Sequence, residues 1–167
     1  MAALAADVNC SLVGVPTFWR FQASTAGEVF YKGAVIWWDL TSGGATVGQV
    51  QVASITAGDR IVGICAKQQT SVAIGDLIEV LIKGTVWLPL GANIAALDTG
   101  GLIGADASGT MSDNPADLVH LAEGAADIAA AANDCLLGRI KEVTASQMLV
   151  QLENVGAIYG GTAAAFF

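Results

Sequence analysis

Ile61-Val62-Gly63-Ile64 runs through a polar turn into Gly75-Asp76-Leu77-Ile78-Glu79-Val80-Leu81-Ile82-Lys83-Gly84. The same design returns at Leu136-Leu137-Gly138-Arg139-Ile140, where a shorter turn leads into Ser146-Gln147-Met148-Leu149-Val150-Gln151-Leu152-Glu153. Each copy is an apolar segment interrupted by glycine, then a turn, then an alternating strand. In the first copy Ile78, Val80 and Ile82 face one way and Glu79 and Lys83 the other, the period of two of a half-buried strand. β-Branched residues and glycines dominate, which disfavours helix. A glycine inside a strand marks a bulge, a sharp bend or the close approach of another backbone. Two such hairpins predict an all-β fold, a small β-barrel or sandwich of short antiparallel strands. The barrel is preferred, because glycine-broken strands suit the bends at barrel corners.

The flanking sequence extends this pattern. Ala34-Val35-Ile36-Trp37-Trp38-Asp39-Leu40 is a continuous apolar run, which predicts a strand covered on both faces. Val47 to Val52 alternates, with Val50 and Val52 opposite Gln49 and Gln51. Thr85-Val86-Trp87-Leu88 carries on beyond Gly84 to Pro89, either as a hairpin or as one long bent strand. Residues 28–155 form the predicted core domain. Within it, 111–135 reads as an insertion or loop, with a short strand possible at Leu118 to Leu121 and a helix-compatible stretch from Asp127 to Ala132. Residues 1–27 are punctuated by proline and glycine and read as an extended N-terminal arm. Residues 156–167 read as a C-terminal tail, with a glycine neck at Gly160-Gly161 and an apolar end at Phe166-Phe167.

Composition narrows the function. Apolar residues make up 54% of the 167 and charged residues only 13%, against about 25% charged in ordinary soluble domains. So few charges cover a free monomer poorly, which predicts surface buried against other copies or another protein. No apolar run approaches the roughly 20 residues of a spanning helix, so no membrane partner is expected. The apolar start, Met1 to Ala6, has no basic region and is interrupted by Asp7, so it does not read as a signal peptide. The net charge of −8, and a stretch between Lys83 and Arg139 with acids but no basic residue, argue against nucleic acid. Cys10, Cys65 and Cys135 are widely spaced and odd in number, which fits small core residues in a reducing compartment and not a disulfide framework or zinc site.

Catalytic patterns are missing from the sequence. The one histidine, His120, lies between Val119 and Leu121 with no nucleophile motif beside it, and there is no GxSxG, HExxH or P-loop. The acids are mostly Asp in turns, where local backbone bonding favours them. Asp98, Asp106 and Asp113 could offer oxygen ligands to calcium, but not at EF-hand spacing. No catalytic residue, cofactor or metal is therefore assigned, and the chain is not expected to be an enzyme. The aromatic residues draw attention instead. Phe18, Trp19 and Phe21 cluster in the arm, adjacent Trp37 and Trp38 must point to opposite faces of one strand, and Trp87 sits near a strand end. Together with Phe166 and Phe167, which could latch onto a neighbour, they are the candidate protein-interface residues.

The order of elements resembles the small capsid decoration (cement) proteins of tailed bacteriophages. The residues that carry the resemblance are Ala26-Gly27-Glu28-Val29 with Val35 to Asp39, Ile61-Val62-Gly63-Ile64, Gly75 to Val80 with Gly84-Thr85-Val86-Trp87-Leu88-Pro89, Asp106-Ala107-Ser108-Gly109, and the closing Leu137-Gly138-Arg139-Ile140 and Leu149-Val150-Gln151-Leu152. It covers about residues 26–155. The resemblance implies a structural virion protein on the outer capsid surface, made in the host cytoplasm. It implies two partners: the major capsid protein, whose neighbouring subunits it would clamp against internal DNA pressure, and itself, as a trimer or dimer. A receptor- or glycan-binding β module of a phage fibre or spike is the alternative, and it expects Trp37 or Trp38 exposed beside polar loops.

Overall fold

A computed structural model of the chain describes residues 4–39, 49–53, 55, 59–91, 93–105, 112–121 and 135–153. The fold is all-β. Its strands are β1 (Ser11–Ala23), β2 (Val35–Trp38), β3 (Gln49–Gln51), β4 (Arg60–Cys65), β5 (Leu77–Pro89), β6 (Leu102–Ala105), β7 (Val119–Leu121), β8 (Cys135–Val143) and β9 (Gln147–Glu153). Short 3-10 turns at Ala96–Asp98 and Pro115–Asp117 are the only helical elements among the described residues. The stretch Asp127 to Ala132, Asp106 to Gly109, Leu40 and the tail with Phe166 and Phe167 lie outside the described residues.

The two glycine-broken hairpins fold as the same three-stranded unit. In the first, β2 pairs with β4 and β4 with β5; in the second, β6 pairs with β8 and β8 with β9. Ile36 pairs with Gly63 but Trp37 with Ile61, so Val62 is an extra residue in the ladder. Ile103 pairs with Gly138 but Gly104 with Leu136, so Leu137 is extra in the same place. A Cβ on Gly63 would fall on the carbonyl oxygen of Leu81, and one on Gly138 on that of Gln151. Two of the three possibilities raised by a strand glycine are thus realised together, a bulge and a backbone approach too close for any side chain.

The bulge resets the apolar phase. Val62 and Cys65 join Ile36, Ile78, Val80 and Ile82 in one core. Their counterparts Leu137 and Ile140 join Ile103, Met148, Val150 and Leu152 in the other. The first unit also supplies its opposite face, Val35, Trp37, Ile61, Ile64 and Leu81, to that second core. β2 is therefore covered on both faces, which is why its sequence is uninterrupted by polar residues.

The strand order is β1-β3-β2-β4-β5-β9-β8-β6-β7, with a further pairing of β1 to β5. The pairings β1–β3, β3–β2, β2–β4, β4–β5 and β5–β1 close a ring around the first core. The second unit continues from β5 and covers the outside of that ring. β5 belongs to both parts: it is one bent strand, not a hairpin. Before Gly84 its even-numbered residues (Ile78, Val80, Ile82) fill the first core, and after it Val86 and Leu88 fill the second. Gly84, at φ +133°, makes the half-turn that moves the even positions from one core to the other, a conformation open to glycine and costly for other residues.

The N-terminal segment is extended, as its sequence suggested, but it is not a free arm. Residues 11–23 are a ladder strand, with Leu12 opposite Val86 and Phe21 opposite Ile78. Further out, Val8 N–H donates to the Lys32 carbonyl at 2.8 Å, Lys32 N–H to Asp7 Oδ1 at 2.9 Å and Leu4 N–H to Asp113 Oδ1 at 3.1 Å.

Candidate functional site

β1 is the strand the rest of the fold leaves least covered. On one edge it pairs with β5 along most of its length; on the other, among the described residues, only Gln22 and Ala23 find a partner, in β3. Among the described residues, Ser11 to Arg20 therefore has no partner on that second edge. Its side chains are mostly apolar and exposed: Leu12, Val13, Val15, Phe18 and Trp19, with Val15 93% and Trp19 47% accessible. Arg20 is its one charged residue, and its guanidinium lies 3.8 Å from the Glu79 carboxylate. An uncovered edge flanked by apolar side chains is the kind of strand that soluble folds normally protect with charge or cover. The protection present is modest, a kink at Gly14-Val15-Pro16, where three residues stand opposite the single Gly84.

The ladder register sorts these side chains onto two faces. Trp19 is opposite Val80 and Val13 opposite Thr85, on the side away from the second core. Trp87 shares that side, paired with Ser11 on one flank and Leu149 on the other, and is half-buried. Leu12 is opposite Val86 and Phe18 opposite Leu81, on the side of the second core. There they wall a cavity of about 400 Å³ whose floor is Ile64, Leu81 and Val86, with Cys10 and Cys65 beside it and Lys32 at its rim. The second core thus opens to the surface beneath β1.

The candidate aromatics divide accordingly. Trp19, Phe21 and Trp38 form a row leading inward: the Trp19 and Phe21 rings are 6.2 Å apart, and Phe21 meets Trp38 edge-on at 5.2 Å. Phe18 and Trp19 are exposed, whereas Phe21 is buried in the first core. Trp37 is a second correction to the interface set. It is fully buried in the second core, and its indole N–H donates to the Ser112 carbonyl at 3.0 Å. The chain's own second unit supplies the covering that its sequence suggested an outside partner would provide. Leu12, Val13 and Val15 are absent from the candidate set, because Gly14 and Pro16 make the segment read as an extended arm. Their recurrence with Phe18 and Trp19 on either side of the Gly14-Val15-Pro16 interruption was the available signal.

Other ionisable groups are placed without a shared centre. His120, in β7, lies 3.6 Å from Asp98 through Nδ1. Among the described residues no group of three or more His, Cys, Asp or Glu is placed to hold a metal. Glu28 is buried, with Oε1 accepting from Ala53 N–H at 3.1 Å and Oε2 without a hydrogen-bond partner among the described residues. Burial pushes its carboxyl up to about 7, against the pull of the Ala53 and Val52 N–H groups, and Asp39 and Asp113 push it further. Asp113 is also raised, by burial, against the Leu4 N–H. Burial pushes the Cys65 thiol up to about 12, and its S–H donates to the Lys67 carbonyl at 3.2 Å. The Cys10 thiol is raised by burial as well, with Lys32 acting against it. Neither cysteine has the electropositive, exposed surroundings of a reactive thiol.

Among the described residues the arrangement is therefore one of apolar contact surfaces: a strand edge without a partner, an outer apolar face and a cavity behind it. No known family model matches the chain, and none of the curated proteins matches it.

Proposed function

We propose that this chain is a structural virion protein that binds the outer surface of an assembled phage head and cements neighbouring major capsid subunits. The observation that carries the reading is the row Val13, Val15 and Trp19, apolar and exposed on a strand edge without a partner among the described residues, in a chain of net charge −8. Such an edge suits a partner that adds backbone hydrogen bonds and covers apolar side chains at once. The resemblance in the order of elements to phage decoration proteins supplies the identity of that partner. The energetic logic is mass action: a protein that binds only the assembled shell stabilises it, by about 2.7 kcal/mol per site at a hundredfold excess over the dissociation constant. Repetition over the shell multiplies that term.

The fibre or spike alternative has less support. Trp37, one of its two candidate sugar platforms, is fully buried. Co-sedimentation with expanded, undecorated heads, using unexpanded shells as control, tests the proposal. Saturable binding to expanded heads alone is expected; no binding to either would overturn it.

A further inference from the structure

The cavity beneath β1 is apolar surface with one charge at its edge. Leu12, Phe18, Ile64, Leu81 and Val86 supply its walls and floor, and Lys32 is the only charged residue of its lining. Its volume of about 400 Å³ lies at the lower end of the range for small-molecule sites, about 300–1,000 Å³. Such sites share this make-up, apolar walls with a few polar groups that fix the orientation of the ligand. The size suits a medium-length chain and not a long one.

The charge decides what kind of molecule fits. Lys32 is exposed, and among the described residues its ammonium has no ion-pair partner. The Asp7 carboxylate is spent on the backbone: Oδ1 accepts from the Lys32 N–H at 2.9 Å. Both charges act on the Cys10 thiol in the cavity lining, and there the downward pull of Lys32 exceeds the upward push of Asp7. At the buried Cys65 thiol the side chains that act are acids, Asp7 and Glu79. The cationic end of the cavity is therefore the end at Cys10 and Lys32. In a chain of net charge −8, a cation beside an apolar cavity selects a ligand of opposite sign at that end and without charge elsewhere.

We infer that the cavity is a binding site for a single-chain amphipathic anion of the medium-chain carboxylate class, with its headgroup at Lys32 and its alkyl chain against Leu12, Phe18, Ile64, Leu81 and Val86. One ammonium matches one negative charge, and the aliphatic lining matches an alkyl chain. The site stands apart from the capsid reading, because it uses none of the outer row Val13, Val15 and Trp19.

Isothermal titration calorimetry of the full chain at pH 7 tests it, with hexanoate, octanoate and decanoate below their micellar concentrations and octylammonium as the chain-matched cation. Saturable binding of one decanoate per chain is expected. Affinity is expected to rise about four-fold per methylene along the series, the factor for burying one CH₂ group. Octanoate is expected to bind at least about four-fold more tightly than octylammonium, a preference of the size an exposed ion pair supplies. Lys32→Met keeps an unbranched apolar stem, removes the charge, and is expected to erase that preference. Phe18→Asp, at the exposed mouth, is expected to weaken decanoate binding at least about ten-fold, through lost apolar contact and repulsion of the carboxylate. Circular dichroism confirms that the variants are folded, and the exposed Lys32→Met carries the test should Phe18→Asp unfold. No saturable binding of decanoate, an affinity independent of chain length, equal affinity for octanoate and octylammonium, a preference that survives in Lys32→Met, or undiminished binding by folded Phe18→Asp would each overturn the inference.

Discussion

Gly84 of β5 and Pro16 of β1 meet face to face across the ladder: a Cβ on Gly84 would stand 3.2 Å from the Pro16 Cα. The bend that passes β5 from one core to the other is thus held at the same level as the kink in β1. Gly84→Ala must adopt φ +133° with a methyl group against Pro16. A loss of about 2 kcal/mol is expected, or about 4–8 °C in melting temperature for a chain of this size. Differential scanning calorimetry checks it.

Gly63→Ala and Gly138→Ala are expected to be more damaging. The added methyl meets backbone carbonyls, Leu81 and Gln151, that are already fixed in ladders. A loss of about 3 kcal/mol or more is expected for each, in the range of severe overpacking. Gly75→Ala is the control: its φ is +89° but nothing lies within 4 Å of the new methyl, and a loss of about 1 kcal/mol is expected. Urea midpoints would rank the three.

Glu28 makes stability depend on pH. Its folded-state carboxyl is raised to about 7 from an ordinary value of 4.5, so the folded state holds the proton more tightly. Its contribution is full below about 4.5 and is lost as the pH rises through about 7. Asp113 is shifted in the same direction. Glu28→Gln removes the titration while keeping an acceptor for Ala53 N–H. The variant is expected to be more stable than the parent at pH 8, by about 3 kcal/mol, and close to it at pH 4.5. Urea unfolding at the two pH values tests this, and an equal difference at both would refute it.

The outer row of β1 is expected to act in binding and not in folding. Val15→Asp and Trp19→Asp replace exposed side chains, so melting temperatures should move little. Binding to expanded heads should weaken by at least about ten-fold for Trp19→Asp, as when a half-exposed aromatic anchor is lost. Head co-sedimentation read beside circular dichroism separates binding from folding.

Much of this architecture was legible locally. The two glycine-broken hairpins, the doubly covered strand at Val35 to Trp38 and the alternation of Gln49, Val50 and Gln51 all follow from patterns within ten or so residues. The rest depends on contacts distant in sequence. β1 reads as part of an extended arm because Gly14 and Pro16 interrupt it; that they form one kink opposite Gly84 is visible only once β5 lies alongside. The opposed faces of Trp37 and Trp38 could be read from the sequence, whereas the covering of Trp37 by the second unit could not. The cavity beneath β1 leaves no local trace, since its floor and walls come from three strands.

The pairing of β1 with β5 also has a consequence in time. β1 is made before its long partner, which is finished only at Pro89. At ordinary synthesis rates the ribosome needs roughly 3–13 s to make the intervening chain. For that interval Leu12, Val13, Phe18 and Trp19 emerge with no ladder to join. The nascent chain therefore carries its stickiest strand unguarded until β5 is complete, and yield in the cell should depend on how well chaperones shield it.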